Sequence, residues 1–310
     1  MGCHDEGVFT PDGGEDSRDL GAEVSRTFRE LPGSLNIMRE SPGAWPGASS
    51  PAMDELRFEA ELKGPPPWGD DPVMAARNLA VALSVAAADH AHSFADAVER
   101  YAPYAPAASA RAAAEACGQM AWLCQPGVGA RERVRRMTNE RLRSFADELK
   151  AVRRVPALAA RERQVTDTIA DLRGTAATLG YRLNGVYLAP DPPGMAELVA
   201  KLFAEDVGGL MYHLMSSTSH GRIAGMMRSV VADPAPVGLI GPQTGRISLQ
   251  PHDAAVQASA VLIALRVGVG ALAAHSGWDT TDWDQRWTAA AVVADAARRQ
   301  FEPGGPTGPA

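Results

Sequence analysis

Lysine is almost missing from this chain. It occurs only at Lys63, Lys150 and Lys201, so nearly all positive charge is arginine. With abundant Ala, Gly and Pro, this resembles the coding bias of a GC-rich bacterial genome such as an actinobacterial one; it carries no chemical meaning. Cysteine is equally scarce. The three thiols Cys3, Cys117 and Cys124 are odd in number, which excludes a disulfide framework. Cys117 and Cys124 are seven apart, share one side of a helix and read as reduced core thiols. Aromatics make up only 6% of the chain, which disfavours an aromatic-rich sheet and points to alanine-mediated helix packing. The opening Met1-Gly2-Cys3-His4-Asp5-Glu6 has no apolar segment of the secretory kind, and Glu6 breaks the myristoylation pattern. The most apolar run, Val261 to Ala274, contains Arg266 and is too short to span a bilayer. A cytoplasmic protein with no membrane contact is the expectation. No internal repeat and no glycine-rich phosphate loop is present.

What remains is ample material for a core. The hydrophobic share of 45% over 310 residues is that of an ordinary globular protein. The net charge of -7 argues against general nucleic-acid binding. The charge is uneven, however. Residues 1–62 hold 13 acids against 5 arginines, whereas residues 131–163 hold 11 bases against 5 acids.

Punctuation predicts the organisation. Residues 1–50, rich in Gly, Pro, Ser and acids, read as a disordered acidic region. Residues 51–301 read as a single helical domain, and residues 302–310 as a disordered tail. The triple proline within Gly64 to Trp68 is a stiff connector. Asp71-Pro72 opens a long helix to about Glu99. Further helices are predicted over about 107–123, 130–155, 156–180, 195–231 (one helix or a pair, kinked at Gly208-Gly209), 252–275 and 280–301. Val134, Met137, Leu142, Phe145, Leu149 and Val152 form one apolar stripe. Val165, Ile169, Leu172, Ala176 and Leu179 form a second with the spacing of a bundle seam. A short strand at Gly185–Leu188 and a small hairpin within Val237–Leu249 complete the reading. The expected fold is all-α: an irregular antiparallel bundle of about seven or eight helices.

Several polar groups interrupt apolar helix faces. Tyr212, Ser216 and His220 are four apart, on a stripe continued by the apolar Ile223 and Met227, so the three are expected to point inward. A buried hydroxyl or imidazole must find partners or lose about 1–3 kcal/mol. The alternatives are a satisfied buried network or the wall of a pocket. Arg111 and Glu115, four apart on an alanine-rich helix, form an ion pair placed to meet that stripe. Arg266, between Leu265 and Val267, is read as buried and paired with an acid or an anionic ligand. Asp89, His92, Asp96 and Glu99 share a face; without matching ligands on another helix they read as a solvated acidic surface rather than a metal site. Arg131, Arg135 and Arg136 begin a basic helix that reads as a solvated face, with phosphate contact or pairing to the acidic N-terminal region as alternatives. Trp278, Trp283 and Trp287 cluster at a helix junction, with Asp279 or Thr280 as the N-cap.

Two patches resemble the HEPN-like helical proteins of bacteria. One is Arg111-Ala-Ala-Ala-Glu115 running on to Trp122-Leu123; the other is Tyr212, Ser216 and His220. The resemblance implies an antiparallel helical bundle, often dimeric. Active members of that superfamily are metal-independent RNases that place an arginine a few residues ahead of a histidine. This chain departs from the pattern: positions 213–216 are His213, Leu214, Met215 and Ser216. A cation for a phosphate would have to come from Arg222 or from an arginine elsewhere.

The expectation is therefore an accessory helical protein, free of metal and cofactor. It binds a small ligand or a protein partner at Tyr212, Ser216, His220, Arg266, Arg111 and Glu115. The alternatives are a HEPN-like RNase with His220 as catalytic base and a small-molecule enzyme of a specialised biosynthetic pathway.

Overall fold

The computed structural model describes residues 15–40, 46–61, 72–226, 229–232, 245–247 and 249–300. Among the described residues the chain is all-α apart from two small antiparallel strand pairs. The helices are α1 (Glu15–Glu40), α2 (Pro51–Glu61), α3 (Pro72–Glu99), α4 (Ala105–Leu123), α5 (Ala130–Val152), α6 (Ala159–Thr178), α7 (Met195–Ala200), α8 (Glu205–Ser219), α9 (Ile223–Met226), α10 (Pro251–Ser276) and α11 (Thr281–Gln300). The strands are β1 (Leu183–Asn184) with β2 (Tyr187–Leu188), and β3 (Val230–Ala232) with β4 (Gly245–Ile247).

The helices are more numerous than expected because α1 and α2 precede α3 and the 195–231 segment divides into α7, α8 and α9. The proposed disorder of residues 1–50 is corrected for Glu15–Glu40. Its Gly, Pro and acid content hides a four–three repeat. Val24, Phe28, Leu31, Leu35 and Met38 lie on one face and join the main core. Pro32 sits inside the helix without ending it. The Phe28 and Phe94 rings pack tilted at 48° with 5.3 Å between centroids, and Ser34 Oγ donates to Asp282 Oδ2 of α11 at 2.6 Å. Arg29 pairs with Asp96 at 2.6 Å and with Glu99, so that acidic face of α3 binds α1. The Gly64–Trp68 connector and the 302–310 tail lie outside the described residues.

At the centre stands α4, packed between α3 and α10. Its buried positions are mostly Ala107, Ala110, Ala113, Ala114 and Cys117, with Gly118 beside them. Across from Cys117 on α10 is Gly268, where a Cβ would fall 2.9 Å from both Cys117 Cα and Cβ. Small residues on both helices thus set a close approach that longer side chains would block. Both thiols are buried as expected. Burial pushes Cys117 well above the usual thiol range and Cys124 up to about 12.

Among the described residues α10 is the one helix long and apolar enough to cross a membrane, because it extends beyond the apolar run on both sides. Over half of that stretch is buried inside the bundle. Trp283 is fully buried and Trp287 Nε1 donates to Leu262 O at 2.8 Å, so the tryptophans seal α11 on α10. The Asp279 side chain accepts from the Thr281 amide at 2.9 Å, one residue ahead of the cap position, where Thr280 O accepts the first helical bond from the Asp284 amide at 2.7 Å.

The α5–α6 hairpin is closed by the expected stripes. Val134, Met137, Leu142 and Val152 of α5 and Val165 and Ala176 of α6 are buried. Buried Asn139 fixes β2 to α5: its Nδ2 donates to Leu188 O at 3.0 Å, and the Leu188 amide donates to Oδ1 at 2.8 Å.

A Gly268→Ala substitution forces α4 and α10 apart, with an expected loss of about 1–3 kcal/mol in urea unfolding. Gly270→Ala is the control. No atom lies within 4 Å of a Cβ there, so the change is expected to be neutral or stabilising by up to about 1 kcal/mol.

Candidate functional site

Five side chains from two helices meet where the end of α8 crosses α4. Arg111 of α4 is the hub. Its Nε donates to Glu115 Oε1 at 2.7 Å, one turn along the same helix. Nη2 donates to Tyr212 OH at 3.3 Å, and Tyr212 OH in turn donates to the same Glu115 oxygen at 3.2 Å. Nη1 donates to Ser219 Oγ at 3.2 Å and also contacts His220 Nε2. A guanidinium has donors only, so a hydrogen bond between the two requires Nε2 as the acceptor. The Arg111 Cζ lies 5.4 Å from the Tyr212 ring centroid.

The electrostatics follow from partial burial beside one carboxylate. Burial works to lower the Arg111 pKa, but the Glu115 hydrogen bond and charge raise it above its ordinary value. Burial, followed by the Glu115 charge, pushes the Tyr212 phenol upward. At neutral pH the hub is therefore a cation held by one anion, with a phenol, a hydroxyl and an imidazole around it.

Of the expected site residues, Arg111, Glu115, Tyr212 and His220 come together. Ser219 joins them unforeseen. Ser216 does not contribute its side chain to the hub; its carbonyl accepts from Ser219 Oγ at 3.1 Å and from the His220 amide at 3.0 Å. The expected inward stripe is also corrected. A strict spacing of four advances about 40° past a full turn at each step, so Tyr212, Ser216 and His220 drift progressively off one face. The α8 residues that join the main core are Met211, Tyr212 and Met215 instead. His220 is the C-cap of α8 and is exposed. Gly221, at φ +63°, turns the chain there, and Ile223 is 80% exposed. Met227 lies outside the described residues.

Arg266 is elsewhere. It points outward from α10, pairs with Asp284 of α11 and lies 5.1 Å from the Trp287 ring centroid. Leu265 faces the core, but the next residue is turned about 100° away from it, which the linear sequence conceals.

The basic helix is corrected in the same way. Arg135 and Arg136 are buried and share Glu132 at 2.7 and 2.8 Å. Arg135 also reaches Leu188 O and Pro190 O, and Arg136 reaches Trp122 O and Gln125 Oε1. Arg131 donates to Leu179 O and lies over Tyr181. Arg135 and Arg136 are thus tied into the fold and not part of a solvated face, whereas Arg131 stays exposed.

A second polar cluster escaped the sequence reading. Glu55 of α2, Arg133 of α5 and His275 of α10 are all buried together. Arg133 holds the Glu55 carboxylate at 3.0 Å and also donates to Val128 O at 3.0 Å and to Leu123 O, beyond and at the end of α4. His275 Nε2 is 4.0 Å from Glu55 Oε2, and its Nδ1 is buried without a hydrogen-bond partner among the described residues. Burial, then the Arg133 and Arg77 charges, push His275 from its ordinary 6.5 down to about 3. Burial also raises Glu55, against the pull of Arg133. These residues are dispersed over the sequence, and no local spacing marks them. The cluster joins three helices in the interior; its environment favours an uncharged imidazole.

Comparison of the chain with family models, curated protein sequences and solved structures gives no match.

The buried imidazole has a consequence for pH. Between pH 6.5 and about 3 the unfolded chain binds a proton at His275 that the folded chain does not. Stability therefore falls as pH falls through that window. Glu55 has the opposite sense, its contribution being lost as pH rises through its raised value. Urea midpoints at pH 6.5 and 4.5 are expected to drop less in His275→Leu than in the parent chain; an equal drop would remove His275 as the cause.

Proposed function

We propose that this chain is a non-catalytic or accessory helical protein that recognises an anionic group of a small ligand or partner at the α4–α8 seam. The observation that carries this is the Arg111 hub: a partly exposed guanidinium with a phenol, a hydroxyl and an imidazole around it. A carboxylate or phosphate oxygen could replace His220 Nε2 on Nη1 and gain a charge-assisted hydrogen bond there. Ser219 and Tyr212 would then supply further hydrogen-bonding groups. A cytoplasmic setting suits this reading.

The test is titration with inorganic phosphate and with acetate, followed through the ring protons of His220 by NMR. A saturable shift is expected in the parent chain and not in Arg111→Met, with helicity checked by circular dichroism. If the parent resonances do not respond, the hub serves only to fasten α8 on α4.

One observation favours metal-independent RNA cleavage as a second reading. The cation absent from positions 213–216 has a counterpart in Arg111, which stands against His220. A phosphate that takes the Nη1 hydrogen would release the Nε2 lone pair beside it. His220 could then remove the ribose 2′-hydroxyl proton as that oxygen attacks phosphorus to give a 2′,3′-cyclic phosphate, and the 5′ oxygen leaves with the bonding pair and takes a proton from water. Single-stranded RNA is then cut in EDTA, and His220→Ala and Arg111→Ala each reduce the rate by about 100-fold or more. Cleavage at the parent rate by either variant rules out that residue's role.

A further inference from the structure

A cavity of about 310 Å³ opens where the α5–α6 hairpin meets the start of α3. Val134 and Met137 of α5 and Leu172 of α6 give it an apolar side. Arg141 of α5 and Asp171 of α6 give it one positive and one negative group.

Arg141 differs from its neighbours. Arg131, Arg133, Arg135, Arg136 and Arg143 of the same helix are each engaged by carboxylates or loop carbonyls of the fold. Arg141 has no ion pair or side-chain hydrogen bond among the described residues, and neither has Asp171, although both line one cavity. On a helix where arginine otherwise ties the fold together, this one is left for something else. The cavity volume lies at the lower end of the range for small-molecule sites, about 300–1,000 Å³.

We propose that this cleft binds a small zwitterion: a molecule with a carboxylate for Arg141, an ammonium for Asp171 and an apolar body of amino-acid size for the remaining wall. Charge selects this class. A monoanion would cover Asp171 without pairing it, a monocation would do the same to Arg141, and a neutral apolar molecule would desolvate both. Only a ligand carrying both signs compensates both groups while its apolar part leaves water. The site is separate from the Arg111 hub and does not depend on it.

The test is calorimetric titration of the full chain with L-leucine and L-phenylalanine, alongside N-acetyl-L-leucine, which lacks the ammonium, and L-leucinamide, which lacks the carboxylate. Saturable binding of a free amino acid is expected, with each blocked form at least about 10-fold weaker. Arg141→Gln should weaken L-leucine about 10-fold and leave L-leucinamide unchanged. Asp171→Asn should weaken L-leucine similarly and leave N-acetyl-L-leucine unchanged. Both positions are exposed, so the variants are expected to fold, and Arg111→Met should retain the binding. No saturable heat with either free amino acid at millimolar concentration overturns the proposal. So does binding that is indifferent to blocking or to both substitutions.

Discussion

The nearness of α4 to its neighbours is the constraint on which the rest of the molecule depends. Alanines along α4 and Gly268 on α10 leave no room for larger side chains at their contact. Dispersion across so close an interface replaces the large-residue interdigitation that an aromatic-poor chain cannot supply. With α4 held centrally, its remaining faces and its end receive α8, α7 and α5. Arg111 lies on the side that meets α8. The polar hub is thus a consequence of where the small residues allow the helices to sit.

Arginine performs the second organising task. The scarcity of lysine leaves a chain whose cations are nearly all planar, multiply donating and permanently charged. The α5 segment uses them to satisfy carbonyls at the end of α4 and in the loop around β2. Each such carbonyl would otherwise be an acceptor without a donor in a partly dry setting. Arg133 does this while neutralising buried Glu55, so α2, the end of α4 and α5 are joined through one guanidinium. Against that background Arg141, beside a cavity and without a partner among the described residues, gains chemical meaning.

Much of the helical layout was legible because periodicity and punctuation are local. Pro72, Pro106 and Pro251 near helix starts and Gly277 just past a helix end mark boundaries directly in the sequence. The α6 stripe predicted its own buried face. The N-terminal helix was obscured because Gly, Pro and acid content outweighed five apolar positions whose value lies in the helix they meet. At the candidate site, the Arg111–Glu115 pair and its encounter with the 212–220 segment were legible. Ser219 was not, since a spacing of four was followed where the helix turn is slightly shorter.

The sequence by itself determined the all-α class, most helix limits and the supply of polar groups on apolar helices, because each is a property of neighbours within a few turns. Tertiary structure alone decided which of those groups meet. It brought Arg111 to His220, turned Arg266 outward, drew Arg133, Arg135 and Arg136 into the fold and gathered Glu55, Arg133 and His275 from distant segments. The physical reason is that local periodicity determines a helical face only approximately, whereas packing against a second helix determines its rotation, and a rotation of tens of degrees moves a side chain from core to solvent.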